Sequence, residues 1–417
     1  MILSIIKKKN FIALPLTDLI QMIGTLLSIS IFSSIDINFF SLYVLVLTLV
    51  EMTNSISLFG NEKFFQKNLS QSGNISRKFI NESFSLNFLL SIIFFIFFSI
   101  FNLLFYNDKN LTLSLILFAP VLLNFRVFLA LIFRYNKKNI PVLKAKFITV
   151  FIGLILKYLF LFYNIDVFYL CLIIFLEQVL EILLLVSFSN KEKKYFPNQL
   201  IFDLKKLYSL MRLLFPIGFS IILFTFLLRV EILFINQLLS PLLASGFFIC
   251  VKIFNSMLIF PRSVISYEFP KLIKSKSNEL LKNVYTFYKL ILLSAIVGSF
   301  AMYVLGYIYI SFFIENELFF AIEFLKYFSL AFLLQCIAGI RNSFLILVNS
   351  HNDILLPQVL SFIFKILFSI IFIKNFGAIG ACLSFVLIEL LNISIFNLFS
   401  KNTRKLLKIF TFQLRKL

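Results

Sequence analysis

The stretch Phe84-Ser85-Leu86-Asn87-Phe88-Leu89-Leu90-Ser91-Ile92-Ile93-Phe94-Phe95-Ile96-Phe97-Phe98-Ser99-Ile100-Phe101-Asn102-Leu103-Leu104-Phe105 contains no Asp, Glu, Lys, Arg or His. It is apolar apart from Ser85, Asn87, Ser91, Ser99 and Asn102, and the charge-free sequence continues through Tyr106 and Asn107. A helix rises about 1.5 Å per residue, so this run is long enough to cross a hydrocarbon layer of about 30 Å. Working outward, runs of the same kind predict twelve spans, at about 11–33, 37–59, 84–107, 111–134, 142–163, 165–188, 209–236, 243–268, 284–311, 321–348, 354–374 and 376–399.

Composition agrees with that reading. The chain is 60% hydrophobic and 14% charged, with a mean hydropathy of +0.99. Soluble chains are about 45–50% apolar and about 25% charged. A soluble enzyme, a nucleic-acid-binding module and a secreted disulfide scaffold are thereby excluded. The net charge of +20 sits between the apolar runs, where it reads as membrane topology. With the N-terminus inside, 29 of the 39 basic residues fall on inner segments, whereas the outer side holds Lys109 and Lys374. Both termini are therefore expected in the cytoplasm. Lys7-Lys8-Lys9 precede an apolar run without a small-residue cleavage site, so that run is expected to be a first span rather than a removed signal.

The fold expected is an all-α polytopic membrane protein, twelve helices in two six-helix lobes around a central cavity. The basic segment Asn190-Lys191-Glu192-Lys193-Lys194 through Lys206 divides an N-terminal lobe (1–188) from a C-terminal lobe with a basic tail (209–417), with 189–208 as linker. Pro15 and Pro216 fall in the first span of each half, in keeping with duplication, a common transporter plan. No stretch outside the spans is long enough to fold as a catalytic domain. Cys171, Cys250, Cys336 and Cys382 lie inside apolar runs without CxxC spacing and read as packing residues. The single histidine, His351, is in a short inner loop, and there is neither a P-loop nor GxGxxG. Transport rather than catalysis is expected, with no cofactor and no metal.

Charges within the spans are the informative residues, because an ionisable group near a helix centre costs about 2.5–3.5 kcal/mol on insertion scales. The basic set is Arg126, Lys157, Arg229, Lys252, Arg262, Lys326, Arg341 and Lys365; the acidic set is Asp18, Glu51, Glu177, Glu181, Glu231, Glu323 and Glu389, with Glu268 at a span end. Lys157 and Lys326 are near enough to the outer end to snorkel. Glu177 and Glu181 share one helix face at i, i+4 and so require a cation or a proton. Arg229, Lys252 and Arg262 against Glu231 make spans 7 and 8 basic, while Asp18 and Glu51 make spans 1 and 2 acidic. A basic wall suits a phosphate or diphosphate, and an acidic one a proton or Na⁺. Inter-helix ion pairs without a transport role account for the same pattern.

The run Leu228-Arg229-Val230-Glu231-Ile232-Leu233-Phe234-Ile235, then Ala244-Ser245-Gly246-Phe247-Phe248-Ile249-Cys250-Val251-Lys252 and Phe269-Pro270-Lys271-Leu272, resembles a signature of Wzx-type polysaccharide lipid flippases, of the multidrug/oligosaccharidyl-lipid/polysaccharide exporter superfamily. Asn375-Phe376-Gly377-Ala378-Ile379-Gly380-Ala381-Cys382 and Phe59-Gly60 are similar to further elements of that family. The chain departs from it at Phe65-Gln66-Lys67 and in having Asp18 but no Arg in span 1. The resemblance implies alternating-access movement of an undecaprenyl-diphosphate-linked oligosaccharide from the inner to the outer leaflet of a bacterial cytoplasmic membrane. The sugar and diphosphate would cross in a wet cavity and the prenyl tail in lipid. Lys252, Arg229 and Arg262, then Arg126 and Lys365, are the expected diphosphate contacts; Asp18, Glu51 and Glu231 are the expected coupling or gating carboxylates. Partners would be membrane lipids and the polymerase and glycosyltransferases of the same pathway, with H⁺ or Na⁺ as coupling ion and no nucleic acid. The alternative of the same fold is a cation-coupled small-molecule exporter.

Overall fold

A computed structural model describes residues 2–60, 77–105, 108–135, 138–163, 166–189, 200, 203–261, 264–265, 277–347, 352–395 and 404. Among these residues there is no strand. The helices are α1 (Ile2–Ser33), α2 (Ile37–Leu58), α3 (Arg77–Phe105), α4 (Asp108–Phe118), α5 (Arg126–Tyr135), α6 (Asn139–Phe162), α7 (Val167–Ser187), α8 (Leu204–Leu227), α9 (Val230–Leu238), α10 (Pro241–Met257), α11 (Ser277–Phe313), α12 (Ala321–Leu347) and α13 (Asn352–Ile393). Short 3₁₀ turns at Ala119–Leu123 and Asn316–Leu318 join neighbours.

Eleven helical segments among the described residues are long and apolar enough to cross a bilayer, and the last, Leu355–Ile393, is 39 residues long. At about 1.5 Å per residue this is roughly twice a bilayer core. Gly377 divides it: its φ of 62° and ψ of −145° interrupt the helix. That conformation is open essentially to glycine alone. Twelve crossings result, in agreement with the sequence. Gly380 supports the same turn, because a Cβ there would run into the carbonyl of Phe372.

The polypeptide forms two compact units, Met1–Thr225 and Phe226–Leu417. The division between them falls within α8. Leu207, Leu210 and Leu214 of α8 are buried against Phe59 and Leu86, which ties the first half of α8 to the first unit. Gly218 allows that approach, since a Cβ would lie 2.7 Å from the Phe59 carbonyl oxygen. Outside the membrane-crossing segment, Asp203 caps α8 by accepting from the Lys205 and Lys206 amides. The Lys206 side chain also donates to Asp203 and holds its carboxyl below the usual range.

Lipid cannot drive helices together as water does, so close packing and internal polar contacts do this work. In the first unit α1 meets α6 through Gly24, whose absent side chain accommodates Val150. In the second unit a cluster of rings joins three helices. Phe254 of α10 makes edge contacts with Phe328 and Phe332 of α12 and with Phe385 of α13, at 5.3–6.0 Å between centroids. Gly298 of α11 admits the Phe332 ring. The lipid-facing residues are apolar instead: Ile93, Ile96, Phe97, Ile100 and Leu103 of α3 are all exposed.

Gly377→Ala is expected to destabilise the protein by about 1–3 kcal/mol through backbone strain. Gly339→Ala, in a helix with open space around the glycine, serves as the neutral or mildly stabilising control. Thermal unfolding of both variants in detergent measures the difference.

Candidate functional site

The deepest charges belong to the second unit. Glu231 lies in the first turn of α9, just after the non-helical Arg229, which carries the chain from α8 into α9. Glu231 is 1% exposed and Lys365 of α13 0%, and Lys365 Nζ stands 2.6 Å from Glu231 Oε1. Ser384, also on α13 but beyond the Gly377 turn, donates to the same oxygen at 2.5 Å. Ser369 lies 3.1 Å from Ser384 and extends the hydroxyl chain one helical turn beyond Lys365. The Lys365 ammonium also sits 4.2 Å over the Phe385 ring, which offers a second electron-rich surface. Glu389, buried on α13, is within electrostatic reach of Lys365.

A buried pair of this kind offsets its desolvation only with good geometry and further hydrogen bonds. The two serines provide these on the carboxylate. Three further polar residues of this unit are buried: Ser361, one turn before Lys365, is 1% exposed, Gln358 5%, and Gln335 of α12 7%. The Ser361 hydroxyl, the Gln358 carbonyl oxygen and both amide atoms of Gln335 meet no hydrogen-bonding partner among the described residues. The second unit thus encloses a charged pair between α9 and α13, with serine hydroxyls on the carboxylate and the Phe385 ring under the ammonium.

The first unit holds two further charge clusters. Arg126 of α5 and Lys146 of α6 both donate to Glu181 Oε2 of α7, at 3.0 and 2.9 Å. Lys157 of α6 donates to Glu177 Oε1 at 2.6 Å and to Ser28 of α1 at 3.0 Å. The like-charged Glu177 and Glu181 are each neutralised by their own cations. Gly153 makes room for the Glu177 carboxylate, which a Cβ at this position would overlap. The expectation that Lys157 snorkels to the outer end is corrected: it is 3% exposed and ties three helices together. Lys326 is exposed.

The expected diphosphate contacts therefore separate into groups. Arg126 and Lys365 are each joined to a carboxylate. Lys252 of α10 is buried, with its ammonium 4.8 Å over the Phe248 ring. Arg229 is buried at the α8–α9 break. Arg262 lies outside the described residues, as do Glu268, His351 and the Phe65-Gln66-Lys67 and Phe269-Pro270-Lys271-Leu272 segments. Of the expected coupling carboxylates, Glu231 is enclosed, Glu51 half-buried in α2, and Asp18 exposed on α1. Ser384, Ser369, Ser28 and Lys146 were not singled out from sequence. Their partners lie up to 153 residues away, and the one local signal is the i, i+4 spacing of Ser369 from Lys365. The four cysteines are free and buried.

Removing one member of the buried pair leaves the other uncompensated, at a cost of about 3–5 kcal/mol. Glu231→Gln and Lys365→Met are each expected to lower the unfolding midpoint in detergent, and the double variant to lie closer to wild type than either. Equal additive losses would mean that the two side chains do not stabilise each other.

No family model and no curated protein matches the chain at the level of sequence. Solved structures do match it. The eukaryotic MATE transporter AtDTX14 aligns over 96% of this chain and 98% of its own, with a TM-score of 0.71 at 14% identity. An inward-facing multidrug resistance MATE family transporter of the MOP superfamily aligns over 94% and 99%, with a TM-score of 0.65 at 11% identity. The MATE transporter ClbM in complex with Rb⁺ aligns over 93% of both chains, with a TM-score of 0.59 at 14% identity. The chain is a multi-pass, all-helical membrane protein with the fold of the MATE transporters.

Proposed function

We propose that this protein is a secondary exporter that works by alternating access and couples export of a small molecule to a proton or Na⁺ at Glu231. The observation carrying this reading is the enclosed Glu231–Lys365 pair with its serine partners. A carboxylate held by a tethered ammonium has two neutral states. In one, Lys365 balances it. In the other, a proton or Na⁺ takes the ammonium's place, and Lys365 turns to another anion, for which Glu389 is at hand. The two states demand different positions of the paired segments of α13 relative to α9. A cation arriving from one side of the membrane therefore shifts the population between two packings. Fold relatives that include a multidrug resistance transporter and a transporter in complex with Rb⁺ support the same reading.

The second reading is translocation of an undecaprenyl-diphosphate-linked oligosaccharide in a bacterial cytoplasmic membrane, alongside the polymerase and glycosyltransferases of that pathway. It is favoured by the motif resemblance and by two buried cations of the second unit, Lys252 and Arg229. A diphosphate cannot cross hydrocarbon unaided. Arg126 and Lys365 are weaker contacts under this reading, because a carboxylate would have to release each of them first.

Proteoliposomes distinguish the two. Small-molecule export is expected to require an H⁺ or Na⁺ gradient and to fall at least about tenfold in Glu231→Gln, as removal of a coupling group would require. Lys252→Ala is expected to retain it. Gradient-independent movement of a fluorescent undecaprenyl-diphosphate oligosaccharide, lost in Lys252→Ala at normal expression, would reverse the assignment.

A further inference from the structure

The span that decided the fold, α3, carries polar residues that neither the charge clusters nor the proposed transport reading uses. Ser83, Asn87 and Ser91 follow one another at i, i+4 and i+8, so they lie in a row on one helix face. Ser83 and Asn87 are 0% exposed and Ser91 1%, whereas Ile93, Ile96 and Phe97 on the remaining face are exposed. Polar residues here face protein and apolar ones face lipid.

No donor or acceptor among the described residues serves the Ser83 hydroxyl, either amide atom of Asn87, or the Ser91 hydroxyl. Other small polar residues of the unit are satisfied locally: Ser85 donates to the Asn81 carbonyl, Ser99 to the Phe95 carbonyl, and Thr48 to the Val44 carbonyl. The row on α3 is therefore exceptional within its own helix. On α2, which packs against α3, the Asn54 carbonyl oxygen is a further buried acceptor without a donor, although its backbone carbonyl and Ser57 bind the Asn124 amide.

The chemistry of these atoms selects the occupant. Asn87 Nδ2 needs an acceptor, while Asn87 Oδ1 and Asn54 Oδ1 need donors. A bare cation cannot accept and a phosphate cannot supply both donors, and no charged side chain belongs to the row. Hydroxyl oxygen, which donates and accepts, satisfies all of them. Enclosure at 0–1% exposure limits its source to water. Successive residues of the row are about 6 Å apart along the axis, a gap that one water spans with two hydrogen bonds.

We infer that Ser83, Asn87 and Ser91 bind a file of water running about 12 Å along α3 from near its basic end, Arg77-Lys78, into the core of the first unit. The file hydrates a unit whose ionised groups otherwise depend on one another, and it brings water to the depth of α2, the helix carrying Glu51.

The test uses the full-length protein in proteoliposomes with single cysteines at Ser83→Cys, Asn87→Cys and Ser91→Cys. Leu86→Cys and Phe98→Cys are dry buried controls, and the native cysteines are replaced if they react. Because thiol attack needs thiolate and access, all three row positions are expected to react with Ag⁺ or a small methanethiosulfonate at least about tenfold faster than the controls. Rates equal to the controls overturn the proposal. Should a cysteine variant fail to fold, Asn87→Leu decides. If water fills the row, the substitution lowers the unfolding midpoint by removing hydrogen bonds; if the row is dry, it raises the midpoint by removing two unsatisfied atoms.

Discussion

A carboxylate and an ammonium 2.6 Å apart, both essentially without solvent exposure, impose the constraint from which most of the second unit follows. Neither charge could be left alone in hydrocarbon, so α9 and α13 must meet at that depth. The helix carrying Lys365 must also turn back sharply enough for Ser384 to reach the same oxygen. Gly377 permits that reversal through a backbone conformation other residues do not share. The aromatic cluster of Phe254, Phe328, Phe332 and Phe385 then closes around the pair, one of its rings lying under the ammonium.

The first unit obeys the same rule with different partners. Glu181 draws in one cation from α5 and one from α6, and Glu177 takes a third from α6. These contacts occupy Arg126, which the sequence offers as a diphosphate contact, and Lys157, which it places at the outer end of its span. The Glu231–Lys365 pair differs from the others in its full enclosure and in its hydroxyl relay.

The outward face of this protein is as apolar as its core. Rows of Phe, Ile and Leu face outward on α3 and α6, while the interior mixes apolar side chains with serine, asparagine and glutamine. Hydrophobicity alone therefore discriminates poorly between core and surface in this chain. Glycine does better: Gly24, Gly153 and Gly246 each mark a place where a neighbouring side chain occupies the space a Cβ would take.

Much of the architecture was legible in the sequence, because a span is a local property. Charge-free runs such as Phe84–Phe105 set the number of crossings, and isolated charges such as Glu231 and Lys365 stood out by their cost. The requirement that Glu177 and Glu181 find cations was legible too, from their i, i+4 spacing. Which cations these would be was not. Lys157 read as a snorkelling residue by its distance from the span end, yet it turns inward to Glu177 and Ser28. Likewise the packing of Leu207, Leu210 and Leu214 on Phe59, which ties the start of α8 to the first unit, has no local signal. Hydropathy accumulates along the chain and can be summed from neighbours. Ion pairing, hydroxyl relays and helix docking join residues that are close only after folding, so the tertiary structure alone decided them.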